Sequence, residues 1–141
     1  DQSRMRTLHR QCVETAAELY KENPSNMQAL QDLVQVEAES MYYLLDTAGD
    51  AAGALAEQER ALGMARRLWE SARSYEMGRT FAISSLLTGQ YAHATGDTVK
   101  GDRHFAECFA VLDGFVRQGA ELDAPMRALH EELKATVKAP Q

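Results

Sequence analysis

Proline, cysteine and long apolar stretches are scarce in this 141-residue chain, and each scarcity excludes a class of protein. The three prolines are Pro24, Pro125 and Pro140, so no helix interior needs to be broken by one. Two cysteines are too few for a disulfide framework and indicate reduced thiols, which predicts a cytoplasmic location. No apolar run of about 18 residues exists, so we expect no transmembrane helix and no membrane partner.

Basic residues are fewer than acidic ones, with 15 lysines and arginines against 21 aspartates and glutamates. The formal net charge is −6, which argues against nonspecific binding to a nucleic-acid backbone, because that binding needs a basic field. The 45% of hydrophobic and 26% of charged residues are close to globular averages and predict one domain over residues 1–141. The chain starts at Asp1 rather than at a methionine, so we expect a fragment of a longer or processed protein.

Strand signals are missing as well, since no run rich in valine or isoleucine alternates with polar residues. Apolar residues instead recur at steps of three and four, the period of a helix face. This period predicts six α-helices, over residues 4–21, 26–48, 51–72, 74–95, 98–118 and the segment that follows Asp123. Because the connections are short, we expect neighbouring helices to be antiparallel.

Helix-capping residues recur at a fixed interval. Three of them are 49 residues apart (74 − 25 and 123 − 74): Ser25, Ser74 and Asp123. Two Gly-Asp pairs, 47 residues apart (96 − 49), end one helix and cap the next: Gly49-Asp50 and Gly96-Asp97. A helix, a break and a second helix that recur together predict a stacked array of helical hairpins.

The residues around these breaks resemble the tetratricopeptide repeat. In that family a small residue follows the turn by about five positions, where the two helices touch, and Ala54 and Gly101 stand there in this chain. Gly89 and Phe105 match the family's small and aromatic positions. The period differs, since the family's is about 34 residues, and the family's early tryptophan is absent. The resemblance implies an all-α solenoid of the long-repeat kind; the alternative is a closed helical bundle.

The resemblance also implies a function, the binding of a peptide or a helix of a partner protein in a concave groove. Alignment on the Gly-Asp breaks places two sets of residues in that groove: Glu39, Tyr43 and Asp46, then Leu86, Gln90 and His93. We expect Tyr43 to be an anchor of the kind found at binding hot spots. The two acidic groups favour a basic ligand. Self-association through the terminal helices is a further way for the chain to find a partner.

A second hypothesis comes from another class of protein. In a closed bundle, four glycines would leave room for a small molecule in the core: Gly78, Gly89, Gly101 and Gly114. The chain would then be a ligand-sensing regulatory domain. An enzyme is the third and weakest option, because no nucleophile motif and no phosphate loop occur.

Two clusters of side chains can each be interpreted either as a functional site or as part of the ordinary structure. His9 with Cys12, and His104 with Cys108, have helical spacings that could together form a zinc site. Both cysteines lie on apolar stripes, where cysteine behaves as a small hydrophobe, so we expect neither a metal nor a cofactor. Arginines gather around one hairpin connection, at positions 66, 67, 73 and 79. Either they form a docking patch for an acidic partner, or they are a solvated helix end, which we favour.

Overall fold

The computed structural model describes residues 49–137, together with scattered helical positions between residues 4 and 22. Residues 49–137 form four α-helices and no strand, which confirms the all-helical prediction: α1 (Ala51–Ser71), α2 (Tyr75–Ala94), α3 (Thr98–Arg117) and α4 (Ala124–Val137). Within residues 49–137 the structure has four helices, so the predicted six-helix solenoid is not confirmed. The first two predicted helices fall on residues 4–21 and 26–48, which lie largely or wholly outside the described residues.

Each of the four helices begins at the capping residue that the sequence predicts. The cap side chain accepts a hydrogen bond from the backbone N–H three residues later, which satisfies one of the free N–H groups of the first turn. The donor–acceptor distances are 2.8 Å for Asp50, 3.2 Å for Ser74, 3.0 Å for Asp97 and 3.2 Å for Asp123. Gly96 follows α2 with a φ of 91°, the left-handed region where glycine ends helices at little cost.

Within residues 49–137, extensive packing joins helices that are neighbours in sequence: α1 with α2, α2 with α3, and α3 with α4. α1 and α3 are linked less extensively, by a ring contact between Trp69 and Phe115, by Val111 at the edge of the α1–α2 cluster and by exposed ion pairs. Arg66 contacts Glu107 at 2.8 Å, and Lys100 contacts Glu59 at 3.0 Å. None of these four helices is long and apolar enough to cross a membrane.

The core of the described part has two main apolar clusters. Between α1 and α2, Phe81 of α2 packs with three residues of α1: Leu62, Ala65 and Leu68. The larger cluster joins α2, α3, α4 and the connection before α4: Ala82, Cys108, Phe109, Leu112, Phe115, Leu122, Met126 and Leu133. Trp69 borders both clusters and meets the edge of Phe115 at a ring distance of 5.5 Å, so it closes the end of the α1–α2 hairpin.

Aromatic rings fill the notches left by three of the four glycines that the ligand-sensing hypothesis invoked. A Cβ atom on Gly78 would lie 2.4 Å from Phe115, and one on Gly89 would lie 2.5 Å from Phe105. A Cβ atom on Gly101 would lie 2.3 Å from the ring of His93. A Cβ on Gly114 would meet no atom within 4 Å, but Gly114 is half-buried at the rim. The glycines therefore give close helix contacts, and the expected room for a ligand beside Gly78, Gly89 and Gly101 is absent.

Candidate functional site

The predicted groove residues divide into two groups. Glu39, Tyr43 and Asp46 lie outside the residues that the structure describes, so their placement stays a prediction. Gln90 and His93 lie in the second half of α2; Gln90 is exposed and His93 is half-buried. Leu86, the third position expected in this part of the groove, packs against the large core cluster instead.

Gln90 belongs to a helical face of α2 that is directed away from the buried side. Positions at alternating steps of four and three share this face, which we call the α2 outer face. Its members are Glu76, Thr80, Ile83, Leu87 and Gln90; the middle three are half-buried and the outer two are exposed. Ile83 also packs against the large core cluster, so Leu87 is the half-buried apolar side chain of this face that suits contact with an apolar side chain of another molecule.

His93 is held firmly between α2 and α3. Its ring stacks on Phe105 with 5.2 Å between ring centroids and 12° between planes. The Nε2 atom of His93 lies 2.9 Å from Oδ1 of Asp102. The ring also covers the bare backbone of Gly101, where no methyl group would fit. His93 therefore ties the carboxyl end of α2 to the first turns of α3, in addition to any role in binding.

A cleft opens next to this tie, where α4 meets α3. Five residues line it, and we call it the terminal cleft: Asp102, Phe105, Ala106, Thr136 and Val137. Its volume is about 140 Å³. The side chain of Asp102 is 63% exposed beside the cleft.

Sequence reasoning missed Asp102 and Thr136 as site residues. The sequence does contain a hint for Asp102, because it follows His93 by nine residues, with the Gly96-Asp97 turn between them. In a tight antiparallel hairpin, such a distance brings the last turn of one helix against the first turn of the next. No comparable signal marks Thr136, because its position depends on how α4 packs on α3.

A polar cluster holds the start of α4 against α2. Oδ2 of Asp123 accepts hydrogen bonds from the Tyr75 hydroxyl, at 2.5 Å, and from Arg79 Nε, at 2.8 Å. The backbone N–H of Asp123 donates to the same Tyr75 hydroxyl at 2.9 Å. These bonds from Tyr75 and Arg79 lower the pKa of Asp123 to about 2, whereas burial, followed by the hydrogen bond to Asp123, raises the pKa of Tyr75.

A second polar contact fastens α4 to α3. The buried ring of His130 stacks on Phe109, with 5.3 Å between centroids and 8° between planes. Its Nε2 atom lies 3.1 Å from Oδ1 of Asp113, and Arg117 Nε donates to the other oxygen of that carboxylate at 2.8 Å. The bonds from His130 and Arg117 lower the pKa of Asp113 below its usual value. Tyr75 with Asp123, and His130 with Asp113, thus set the position of α4.

The arginines around the α1–α2 connection make contacts within the chain. Arg66 pairs with Glu107 and lies 5.0 Å from the centre of the Phe81 ring. Arg79 pairs with Asp123, and Arg73 lies 4.5 Å from the centre of the Trp69 ring. These contacts favour the structural interpretation of the cluster over a docking patch, because the guanidinium groups of Arg66, Arg73 and Arg79 contact groups of the chain itself.

The candidate zinc ligands are only partly described. His9 and Cys12 lie outside the described residues. Cys108 is fully buried, and burial raises the pKa of its thiol to about 12. His104 pairs with Glu107 at 3.1 Å. Among the described residues, no group of three or more His, Cys, Asp and Glu side chains could hold a metal ion, and the expectation of no metal or cofactor stays a prediction.

Comparison with known proteins identifies no relative of this chain. No protein-family model, no curated protein and no solved structure matches this chain significantly. The resemblance to tetratricopeptide repeats therefore rests on the residues around the turns alone.

Proposed function

We propose that this chain is part of a helical-hairpin array that binds a segment of another protein. The observation that carries the proposal is the packing order of residues 49–137, in which extensive contacts join only sequence neighbours. In a closed bundle, α1 and α3 would pack along their length. Here they are linked by the Trp69–Phe115 ring contact, by Val111 at the edge of the α1–α2 cluster and by two exposed ion pairs, without the extensive packing seen between sequence neighbours. Packing between successive elements is typical of solenoid proteins, which use their extended surfaces to bind partners.

Contacts between positions about one period apart support the same proposal. Tyr75 and Asp123 are separated by 48 residues, and each stands at or next to a predicted repeat start. The first helix of one hairpin therefore contacts the first helix of the next. Stacked repeats produce such contacts, because equivalent helices lie side by side. The tetratricopeptide-like assignment and the cytoplasmic location are parts of this proposal, and both await a test.

The α2 outer face is the described surface that we assign to binding. It carries Gln90 from the predicted groove, and Leu87 supplies a half-buried apolar side chain one turn before it. Glu39, Tyr43 and Asp46 would extend this surface on the preceding hairpin if the repeats stack. A peptide or helix with apolar anchors is the partner that such a surface fits.

The test is a selection of binding peptides from a displayed random library, with the full chain as bait. Affinities of the selected peptides are then measured by fluorescence anisotropy for the parent and for Leu87→Gln. Val116→Gln is the matched control, because Val116 is an apolar residue of α3 that is 43% exposed. We expect Leu87→Gln to weaken binding about tenfold, the size of a modest hot spot, and the control to leave it unchanged.

Two outcomes would contradict the proposal. A selection that yields no saturable binder would reject the binding function. Equal losses for Leu87→Gln and Val116→Gln would reject the α2 outer face as its location. Small-angle X-ray scattering tests the array separately: an elongated particle supports it, and a compact one supports the closed bundle.

A further inference from the structure

The terminal cleft has the size of one side chain. Sites for cofactors and drug-sized molecules have volumes of roughly 300–1,000 Å³. The terminal cleft measures about 140 Å³ and is open to solvent along one side. A single long side chain from another polypeptide fits this space better than a free metabolite does.

The walls of the terminal cleft differ in chemistry along its length. Phe105, Ala106 and Val137 supply apolar surface, and Asp102 supplies a carboxylate at one margin. Side chains that combine a hydrocarbon stem with a charged head match such a surface, because the stem packs on apolar groups while the head stays in water. Lysine and arginine have this construction together with the charge that is opposite to Asp102.

The surroundings of the terminal cleft add to its negative character. α2 ends at Ala94, so the negative end of its helix dipole lies on this side. The positive end of α3 lies here too, but the Asp97 carboxylate caps it. His93 fixes Asp102 through one oxygen, which holds the carboxylate in place before any ligand arrives.

We propose that the terminal cleft binds one lysine or arginine side chain of a partner polypeptide, with the stem on Phe105 and Val137 and the cationic head at Asp102. This inference rests on the proposed protein-binding function and names the chemistry of the partner. In this proposal Asp102 is an acidic group that selects a basic ligand, in addition to the predicted acidic positions Glu39 and Asp46.

The cleft is tested with small probes, independently of any partner. Nα-acetyl-arginine methylamide and the corresponding lysine compound are titrated into the ¹⁵N-labelled full chain and followed by NMR. The neutral analogues of citrulline and norleucine serve as controls. We expect the cationic probes to shift the amide signals of Asp102, Phe105, Ala106, Thr136 and Val137, and the neutral probes to bind more weakly.

Two variants sharpen the result. Asp102→Asn removes the negative charge. It is expected to lower the affinity for the cationic probes about two- to fivefold, the range for exposed ion pairs. Glu121→Gln, an exposed carboxylate in the connection before α4, is the matched control and should change nothing. Thr136→Leu fills the cleft from an exposed helical position and should abolish the shifts, so the test survives if Asp102→Asn does not fold.

Equal binding of the arginine and citrulline probes, or no shifts in the cleft with either cation, would overturn this inference. The selected peptides separate it from the proposed function. If peptides bind but none needs a basic residue, and Asp102→Asn leaves their affinity unchanged, the cleft assignment fails while the binding function stands. If no peptide binds, the binding function fails, and the probes still decide whether the cleft prefers cations.

Discussion

The contact between α2 and α3 at Gly101 allows a sharp test of the fold. A methyl group on Gly101 would lie 2.3 Å from Cδ2 of His93 and 2.9 Å from the backbone oxygen of Gly89. The His93 ring cannot move aside freely, because it stacks on Phe105 and pairs with Asp102. The backbone of α2 cannot shift without disturbing the core. The sequence predicted a crossing with room for a methyl group at most; the structure leaves no room for one.

Gly114 provides the matched control for this test. It also lies within α3, and a Cβ atom on it would meet no atom within 4 Å. Replacement of either glycine by alanine gains about 1 kcal/mol of helix propensity, so this gain cancels when the two variants are compared. What remains is the cost of overpacking at Gly101, about 1–3 kcal/mol. We therefore expect Gly101→Ala to be less stable than Gly114→Ala by about that amount.

The assay is urea unfolding followed by far-UV circular dichroism, with the slope of the transition checked for equality between variants. A His93→Ala background divides the cost further, because it removes the ring contact and leaves the contact with the Gly89 oxygen. The penalty of Gly101→Ala should shrink in this background. If Gly101→Ala is at least as stable as Gly114→Ala, the helices are not in contact at Gly101, and the reasoning is refuted.

Three other predictions follow from the polar joints and the core. Tyr75→Phe should cost about 1–3 kcal/mol in urea unfolding, because Asp123 loses its hydroxyl partner; an unchanged midpoint would contradict this. The folded pKa of Asp123, about 2, is below the ordinary 3.8, so its stabilisation is present above about pH 4 and disappears as the pH falls towards 2. Acid titration should show a smaller loss for Asp123→Asn than for the parent, and equal losses would count against the joint. Cys108 should resist alkylation at mildly alkaline pH and react in urea, as read by mass spectrometry of its peptide, since its thiol is buried with a pKa of about 12; rapid labelling of the folded chain would contradict this.

The sequence predicted the helix starts well because capping chemistry is local. A short oxygen-bearing side chain before an apolar periodic run can satisfy the N–H groups of the first turn without help from the rest of the chain. Asp50, Ser74, Asp97 and Asp123 all make this bond in the structure. Gly101 was expected at a helix contact because it matches the small position of the tetratricopeptide resemblance, and it lies against His93 and Gly89 in the structure.

The rotation of each helix was harder to predict. Leu86 was expected in the groove, yet it packs in the core, and its neighbour Leu87 lies on the α2 outer face. One residue corresponds to a turn of about 100° around the helix axis, so a small alignment error moves a side chain from one face to another. Val116 is a further case, since an apolar residue within α3 is expected on the buried stripe and this one is 43% exposed.

Buried polar residues were also beyond sequence reasoning. Gln58 is 1% exposed between α1 and α2, and its Nε2 donates to the Ser84 hydroxyl at 2.9 Å. Composition places glutamine on the surface, because burial of a polar group is costly without a partner. Nothing in the local pattern shows that Ser84 will supply that partner from 26 residues away. The terminal cleft escaped prediction for the same reason, since residues of α3 and α4 form it together.

The two ways in which the helices are joined bear on how this chain could recognise a partner. The α2–α3 contact is locked by aromatic rings seated on Gly89 and Gly101, where the space is too small for a methyl group. The position of α4 depends both on Leu122, Met126 and Leu133, which pack in the large core cluster, and on two hydrogen-bonded carboxylates, Asp123 and Asp113. Both walls of the terminal cleft therefore belong to helices that the core holds in place. A side chain that enters the proposed site would meet a preformed surface, and a preformed surface lowers the entropic cost of binding.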